Sequence, residues 1–311
     1  MRPILSVNRL ASLVGMPATR LHQIADKIEE HYRLEVLKQG HKIRHLKIPK
    51  GELKELQRRI SRNILSPIAL SESAHGGVRG RSPRTNANQH LGQKYVATCD
   101  ARDFFPSVRH SVVYRMFRHR MGFGRGVASL LTRLVTFEAQ LPQGAPTSTA
   151  VANLLLTMPV DEPLAQEARN DGVSYTRFVD DICLSGPNPA PLINHTARLL
   201  SRVGLRLHRK KAPLGSKSKL KIVPRYRPQE VTGLIVNSVA GPSVSKVRRD
   251  KIRLEIFQLG HLPDAHLRGK AITSVRGKIA HFRQFNPGAA KRMSHYLQST
   301  LAKPEQAELA R

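Results

Sequence analysis

Three aspartates pose the chemical question. Asp100 closes an apolar run, KYVATCD, and Asp180–Asp181 join two more, YTRF and ICLS. Carboxylates brought together at neighbouring strand ends suit hard divalent cations, which take oxygen ligands. Two such ions about 3.5–4 Å apart can activate a hydroxyl for attack on an α-phosphate and stabilise the leaving oxygens. The chemistry on offer is therefore nucleotidyl transfer. Burying two or three carboxylates together without a cation would be very costly. Each acid also has an ordinary reading. A lone Asp at a strand end commonly makes a turn or caps a helix, although a simple turn favours Asn-Gly or Asp-Gly over two adjacent aspartates. On residue chemistry alone the metal site and the turn stand level. Asp103 follows closely, but on an irregular segment, and is expected to face solvent.

The elements that must position these acids follow from patterning. The segment SVNRLASLVGMPATRLHQIADKIEE predicts two short helices broken at Gly15–Pro17, with Leu10, Leu13 and Val14 on one apolar face and Leu21, Ile24, Ala25 and Ile28 on the other. A helical pair packed on a larger domain is preferred to an independent helix-turn-helix DNA reader. HYRLEVLKQGHKIRHLKIPK alternates around a glycine and predicts a hairpin carrying Lys38, Lys42 and Arg44. GELKELQRRISRNIL places Leu53, Leu56, Ile60 and Ile64 at helical spacing opposite a basic face, and TNANQHLGQ reads as a short polar segment. KYVATCD reads as a buried strand and YTRFVDDICLS as two strands joined at the aspartate pair. With helical runs between them, a mixed domain with a mainly antiparallel sheet is expected. The basic stretch Arg206–Arg227 reads as turn and edge. Two late stripes, Val247, Ile252, Ile256 and Leu259, then Ile272, Val275, Ile279 and Phe282, predict a small helical lobe.

The chain has 311 residues with 52 Lys+Arg against 22 Asp+Glu, a formal net charge of +30. Such a charge calls for a polyanion, and a phosphate backbone is the usual one. A membrane surface would need an amphipathic basic helix or a lipid anchor, and neither is read here. Cys99 and Cys183 alone make neither a zinc site nor a disulfide framework. The N-terminus lacks the apolar core of a signal peptide, and the apolar stretch around 151–160 is too short to span a bilayer. A cytoplasmic address is the expectation.

Five short motifs occur in an order that resembles the retron reverse transcriptases. ATCDARDFFPS resembles that family's first palm motif, LPQGAPTS its second and FVDD its catalytic pair, while TNANQH and VTGLIVN fit two retron-associated signatures. The resemblance implies an α+β right-hand polymerase, with fingers, a palm of antiparallel sheet and helices, and a helical thumb. On this chain it implies an N-terminal helical segment at 1–35, fingers at 36–99, a palm with fingers insertions at 100–244 and a thumb at 245–311. It implies RNA-directed DNA synthesis from a structured non-coding RNA, yielding branched multicopy single-stranded DNA as an RNA–DNA hybrid in anti-phage defence. Deoxynucleoside triphosphates, an effector protein and a host ribonuclease H are the implied partners. Two Mg²⁺ ions, with Mn²⁺ as a substitute, are the implied cofactors. A group II-like or other reverse transcriptase without retron RNA specificity is the alternative enzyme, and a non-catalytic RNA-binding scaffold the alternative from another class.

Carried over residue by residue, the resemblance assigns Asp100, Asp180 and Asp181 to the metals. Phe105 matches the ring beneath the incoming sugar, or else is a core aromatic beside Phe104. Gln143 and Gly144 in the PQG turn match the loop beside nucleotide and template; Pro142 and Gly144 could otherwise serve turn chemistry. Lys38 and Arg44 match finger cations that hold the triphosphate, or else are solvated charges. Lys211 falls near a later palm lysine, with Lys210 an equal register. Asn86, His90, Val231, Thr232 and Gly233 are implied in recognition of the cognate RNA; alternatively Asn86 and His90 satisfy polar groups where their segment packs on the palm. Two departures stand out: Phe178 replaces the usual Tyr before the aspartate pair, and His208 and Ala212 stand where Asn and Thr are more usual in the lysine motif.

Overall fold

The computed structural model describes residues 2–39, 42–208, 220–262 and 264–308. Helices α1 (Val7–Val14) and α2 (Ala18–Asp26) lie on either side of the predicted break. The Ser6 hydroxyl accepts from the Arg9 N–H to open α1, and Gly15, at φ 62°, closes it in the left-handed conformation that glycine adopts freely. Leu10, Val14, Leu21 and Ile24 are buried, so the pair is a packed cap on the main body.

Strands β1 (Tyr32–Gln39) and β2 (Lys42–Pro49) pair antiparallel from Tyr32↔Pro49 to Gln39↔Lys42. The ribbon is rooted at its base, where the buried Tyr32 ring lies 4.3 Å from Phe137 and its hydroxyl accepts from the Gln57 amide at 2.9 Å. Farther out, Leu34, Val36 and Ile43 are exposed. Helix α3 (Gly51–Ile60) runs on through a π turn to Leu65, burying Leu53, Leu56, Ile60 and Ile64 as their spacing predicts. The segment read as merely polar contains a short helix, α4 (Pro83–Asn88), opened by a reciprocal Ser82–Thr85 capping box with Pro83 at the helix start.

Strand β3 (Tyr95–Asp100) is followed by α5 (Phe104–Ser107), α6 (His110–Arg115), α7 (Arg125–Val135), α8 (Ser148–Leu156) and α9 (Glu162–Asn170). Then come β4 (Ser174–Phe178), β5 (Asp181–Gly186), α10 (Ala190–Arg202), β6 (Lys221–Pro224), β7 (Glu230–Val231) and β8 (Leu234–Ile235). The central sheet has the order β4-β5-β3-β6 and is antiparallel throughout. Because β3 continues unbroken from Tyr95, the expected boundary at 99/100 falls inside a strand of this sheet.

Strand alternation gives the sheet two distinct faces. Ala97, Cys99, Ile182 and Leu184 face a large core shared with the helices, whereas Val96 and Cys183 belong to a second core. That second core is completed by α11 (Lys246–Leu259), α12 (Ala265–Arg283) and α13 (Pro287–Glu308). Ile252, Ile256 and Leu259 are buried there, but Val247 is 80% exposed, contrary to the stripe read from sequence. It sits in the first turn of α11, five residues before Ile252 and so about 140° around the helix from it, on the side that lines a cavity. Among the described residues no helix is long and apolar enough to cross a membrane.

Candidate active site

The acids meet through strand register. Asp100, last residue of β3, is the direct cross-strand partner of Asp181, first residue of β5, and Phe178 at the end of β4 pairs with Asp181 from the other side. Direct partners share a face, so Asp100, Asp181 and Phe178 stand on the same side of the sheet. Asp100 is buried, Asp180 half-buried and Asp181 exposed, a gradient from core to solvent across one strand end. The Ala101 N–H donates to the Asp180 carbonyl at 3.2 Å, tying the two loops together. Asp103 is exposed, as expected, with its carboxylate on Arg102.

The turn between β4 and β5 has two central residues, Val179 and Asp180. Val179 sits at φ 61°, the sense that a tight hairpin needs at its first central position and that glycine ordinarily supplies. A β-branched residue there is strained, by about 1–3 kcal/mol. The strain lies next to the two aspartates.

Among the described residues no group of three or more His, Cys, Asp or Glu side chains is placed to hold a metal ion. What the sheet end offers is three carboxylates, with Asp100 and Asp181 in register and Asp180 adjacent in the chain. Its donors are hard oxygens and suit Mg²⁺ or Mn²⁺. The neighbouring Cys183 thiol is held in its protonated form, its pKa pushed well up by burial, then by Cys99 and Asp181.

Around this centre the other predicted residues are distributed unevenly. Phe105 is half-buried on α5, edge-on to the buried Phe104 with ring centroids 5.3 Å apart. The Gln143 carbonyl accepts from the Lys47 N–H at 2.8 Å. Gly144, at φ 114°, lies so close to β2 that a Cβ there would come 3.3 Å from Ile48. The PQG turn is thus seated on the β1–β2 ribbon. Lys38 and Arg44 are both exposed, but the register pairs Lys38 with Ile43 and Arg44 with Leu37, which puts the two cations on opposite faces of the ribbon. Arg44 shares its face with Leu46 and Ile48, the side on which Gly144 rests. Lys210 and Lys211 lie outside the described residues. The segment leading to them runs beside the aspartates, with the His208 N–H on the Asp100 carbonyl at 2.9 Å and the Arg102 N–H on the Arg206 carbonyl at 2.8 Å.

His90 is fully buried. One ring nitrogen is 2.7 Å from the Ser185 hydroxyl and the other 2.7 Å from that of Thr176, so the ring bridges β4 and β5 from the side that carries Asp181. Burial, reinforced by His75, lowers its pKa to about 3. With both nitrogens engaged and no exposed surface, the ring is not presented to an RNA; of its two sequence readings the structural one describes its place. Asn86 differs: it is 2% exposed, and its Oδ1 has no hydrogen-bond partner among the described residues. Val231 is likewise buried in the second core. Thr232 and Gly233, at φ 47° and 81°, form the two-residue turn between β7 and β8. Asn86, Thr232 and Gly233 line a cavity of about 1110 Å³ that also reaches Asp181, Lys221 and Arg249.

Two features escaped the sequence reading. Lys47, only 15% exposed, pairs with Glu138 and lies 5.4 Å from the Phe137 ring, joining the ribbon to the body. Arg177 is buried within β4 with Asp161 and Asn153. A charged residue in the apolar run YTRFV was the available signal, since arginine is rarely buried unless paired.

With this geometry in view, comparison with known proteins defines the class. Residues 36–235 match the family described as reverse transcriptase (RNA-dependent DNA polymerase), and the chain belongs to that family. Its fold is that of a right-hand polymerase. Within the family it is similar to the Retron Mx65 reverse transcriptase of Myxococcus xanthus, with 31% identity over 88% of this chain and 66% of the relative. It is also similar to the Retron Mx162 reverse transcriptase of the same organism, at 30% over 80% of this chain and 57% of the relative. The Retron Ec86 reverse transcriptase of Escherichia coli is 32% identical over 68% of this chain and 63% of its own length. The chain therefore spans two thirds or less of each of these relatives.

Proposed function

We propose that this protein is an RNA-directed DNA polymerase of a retron. In this reading it copies a structured non-coding RNA into branched multicopy single-stranded DNA, within an anti-phage defence system that includes an effector protein and uses a host ribonuclease H. The observation that carries the polymerase reading is the pairing of Asp100 with Asp181, Asp180 adjacent, at the open end of an antiparallel sheet. Residues 36–99 would act as fingers except for β3, which belongs with the palm sheet; 100–244 would act as palm, 245–311 as thumb and 1–35 as an N-terminal helical segment.

Asp100, Asp180 and Asp181 would hold the divalent ions. Bound there, such ions would lower the cost of generating the attacking oxyanion and of charge on the leaving phosphate. The protein's own part is orientation. Phe105 stands near the acids on α5 and would bound the sugar; Gln143 and Gly144 would present backbone to nucleotide and template. Arg44, on the ribbon face that meets the PQG turn, suits the triphosphate better than Lys38, which points the other way. Lys211 is proposed for the same nucleotide on sequence resemblance alone.

Support for the retron reading comes from Asn86 of TNANQH and from VTG, far apart in sequence yet on one cavity that reaches Asp181. The unpartnered Asn86 Oδ1 offers an acceptor there, and Lys221 and Arg249 supply positive charge. The experiment is to isolate the protein from its native host and sequence the nucleic acid that accompanies it. A branched RNA–DNA hybrid templated by an RNA encoded beside the gene is expected. Unrelated cellular RNAs without attached DNA would contradict the retron reading and leave a generic reverse transcriptase.

A further inference from the structure

Phe178 and Asp181 face the cavity, but Arg177 between β4's other residues points the opposite way, into the helical core, with its side chain 1% exposed. Four of its five N–H donors are directed. Nε and Nη2 reach the two Asp161 carboxylate oxygens at 2.8 and 2.7 Å, and Nη1 serves the Asn153 Oδ1 at 2.9 Å and the Val179 carbonyl at 2.8 Å. Asp161 also accepts from the Tyr175 hydroxyl at 2.6 Å, which fixes the carboxylate in turn.

The same side chains reach the far side of the turn. The Asn153 amide donates to the Gly76 carbonyl at 2.9 Å. Gly76 touches the turn so closely that a Cβ there would lie 2.4 Å from the Val179 nitrogen and 2.8 Å from the Phe178 carbonyl carbon. Residues 73–75 exchange backbone hydrogen bonds with Arg177 itself, from its N–H to Ser73 and from the His75 N–H to its carbonyl, both at 2.7 Å. Val179, at φ 61°, is thus gripped by a guanidinium on one side and by the Gly76 segment on the other.

A buried ion pair is a poor device for stability, since apolar residues of similar volume often serve as well. This one ends on the strained residue beside two acids. We propose that Arg177, with Asn153 and Asp161, is a positioning device: it holds Val179 in its left-handed conformation and so fixes where Asp180 and Asp181 stand relative to Asp100. The inference rests on the polymerase reading of those acids.

Arg177→Lys keeps a cation for Asp161 but cannot make the four directed bonds. Asn153→Ala removes one link and leaves the Arg177–Asp161 pair in place, so it decides the matter if the lysine variant does not fold. In folded variants, single-turnover extension should slow on the order of 10- to 100-fold. Deoxynucleotide KM and primer–template affinity should stay within about twofold. Hydrogen exchange at 178–181 should quicken while the rest of the β4–β5 hairpin keeps its protection. Adding Val179→Gly to Arg177→Lys should restore part of the rate, because glycine adopts this φ without steric penalty. Wild-type rates in both single variants, equal losses of rate and primer–template affinity, or no recovery on adding glycine would overturn the proposal. A wild-type protein that extends no primer would instead overturn the polymerase reading, and hydrogen exchange would still report on the brace.

Discussion

The Thr232 hydroxyl donates to the carbonyl of Pro83 at 3.0 Å, joining the VTG turn to the first residue of the helix that carries Asn86. Across the 149 positions between Thr232 and Pro83, the elements that carry the two signatures thereby become one wall of the cavity. A net charge of +30 binds any polyanion at low salt, so recognition must be sought near physiological salt. There, Asn86→Ala should shrink the preference for one structured RNA over length-matched RNAs on the order of tenfold, the worth of a hydrogen bond to a buried acceptor. Extension of an ordinary annealed primer–template should change little. Competition binding and extension at one salt concentration check this; loss of both activities together would make Asn86 structural.

His90 gives a stability signature instead. Its folded pKa, about 3, lies below the ordinary value of 6.5, so the unfolded chain binds the proton more tightly. Its contribution is complete above pH 6.5 and is lost as pH falls toward 3, at up to about 1.4 kcal/mol per pH unit. Urea unfolding at pH 7 and pH 5 should show that slope in the wild type and a shallower one in His90→Gln. Parallel slopes would show that the ring does not carry it.

The contrast between Asn86 and His90 marks how far the sequence could be read. Short apolar runs bounded by aspartate announced β3, β4 and β5, because a continuous apolar run closed by an acidic turn is a local signal. His90 depends on Thr176 and Ser185, 86 and 95 residues away, and no local pattern encodes partners at that range. Lys38 and Arg44 looked equivalent as cations on a ribbon; only the register, set by the pairing of Gln39 with Lys42, separates their faces. Val247 was read into a helical stripe, but its five-residue spacing from Ile252 turns it about 140° away from the buried face of α11.

Sugar selection is the third expectation. Phe105 is half-buried and braced edge-on by Phe104, so its ring can bound a pocket rigidly. Phe105→Ala should raise ribonucleotide relative to deoxynucleotide efficiency on the order of tenfold. The ratio of the two kcat/KM values is the measurement. An unchanged ratio in a folded variant would return Phe105 to a packing role.

The central claim is that the carboxylates joined by the Asp100–Asp181 pairing catalyse template-directed DNA synthesis. Primer extension on an RNA template with Mg²⁺ and deoxynucleotides, wild type against Asp180→Asn, tests it most directly. The wild type should extend, and the variant should fold and bind RNA normally yet lose at least on the order of 100-fold in rate, as expected when transition-state stabilisation is removed. Wild-type rates in Asp180→Asn would contradict the account.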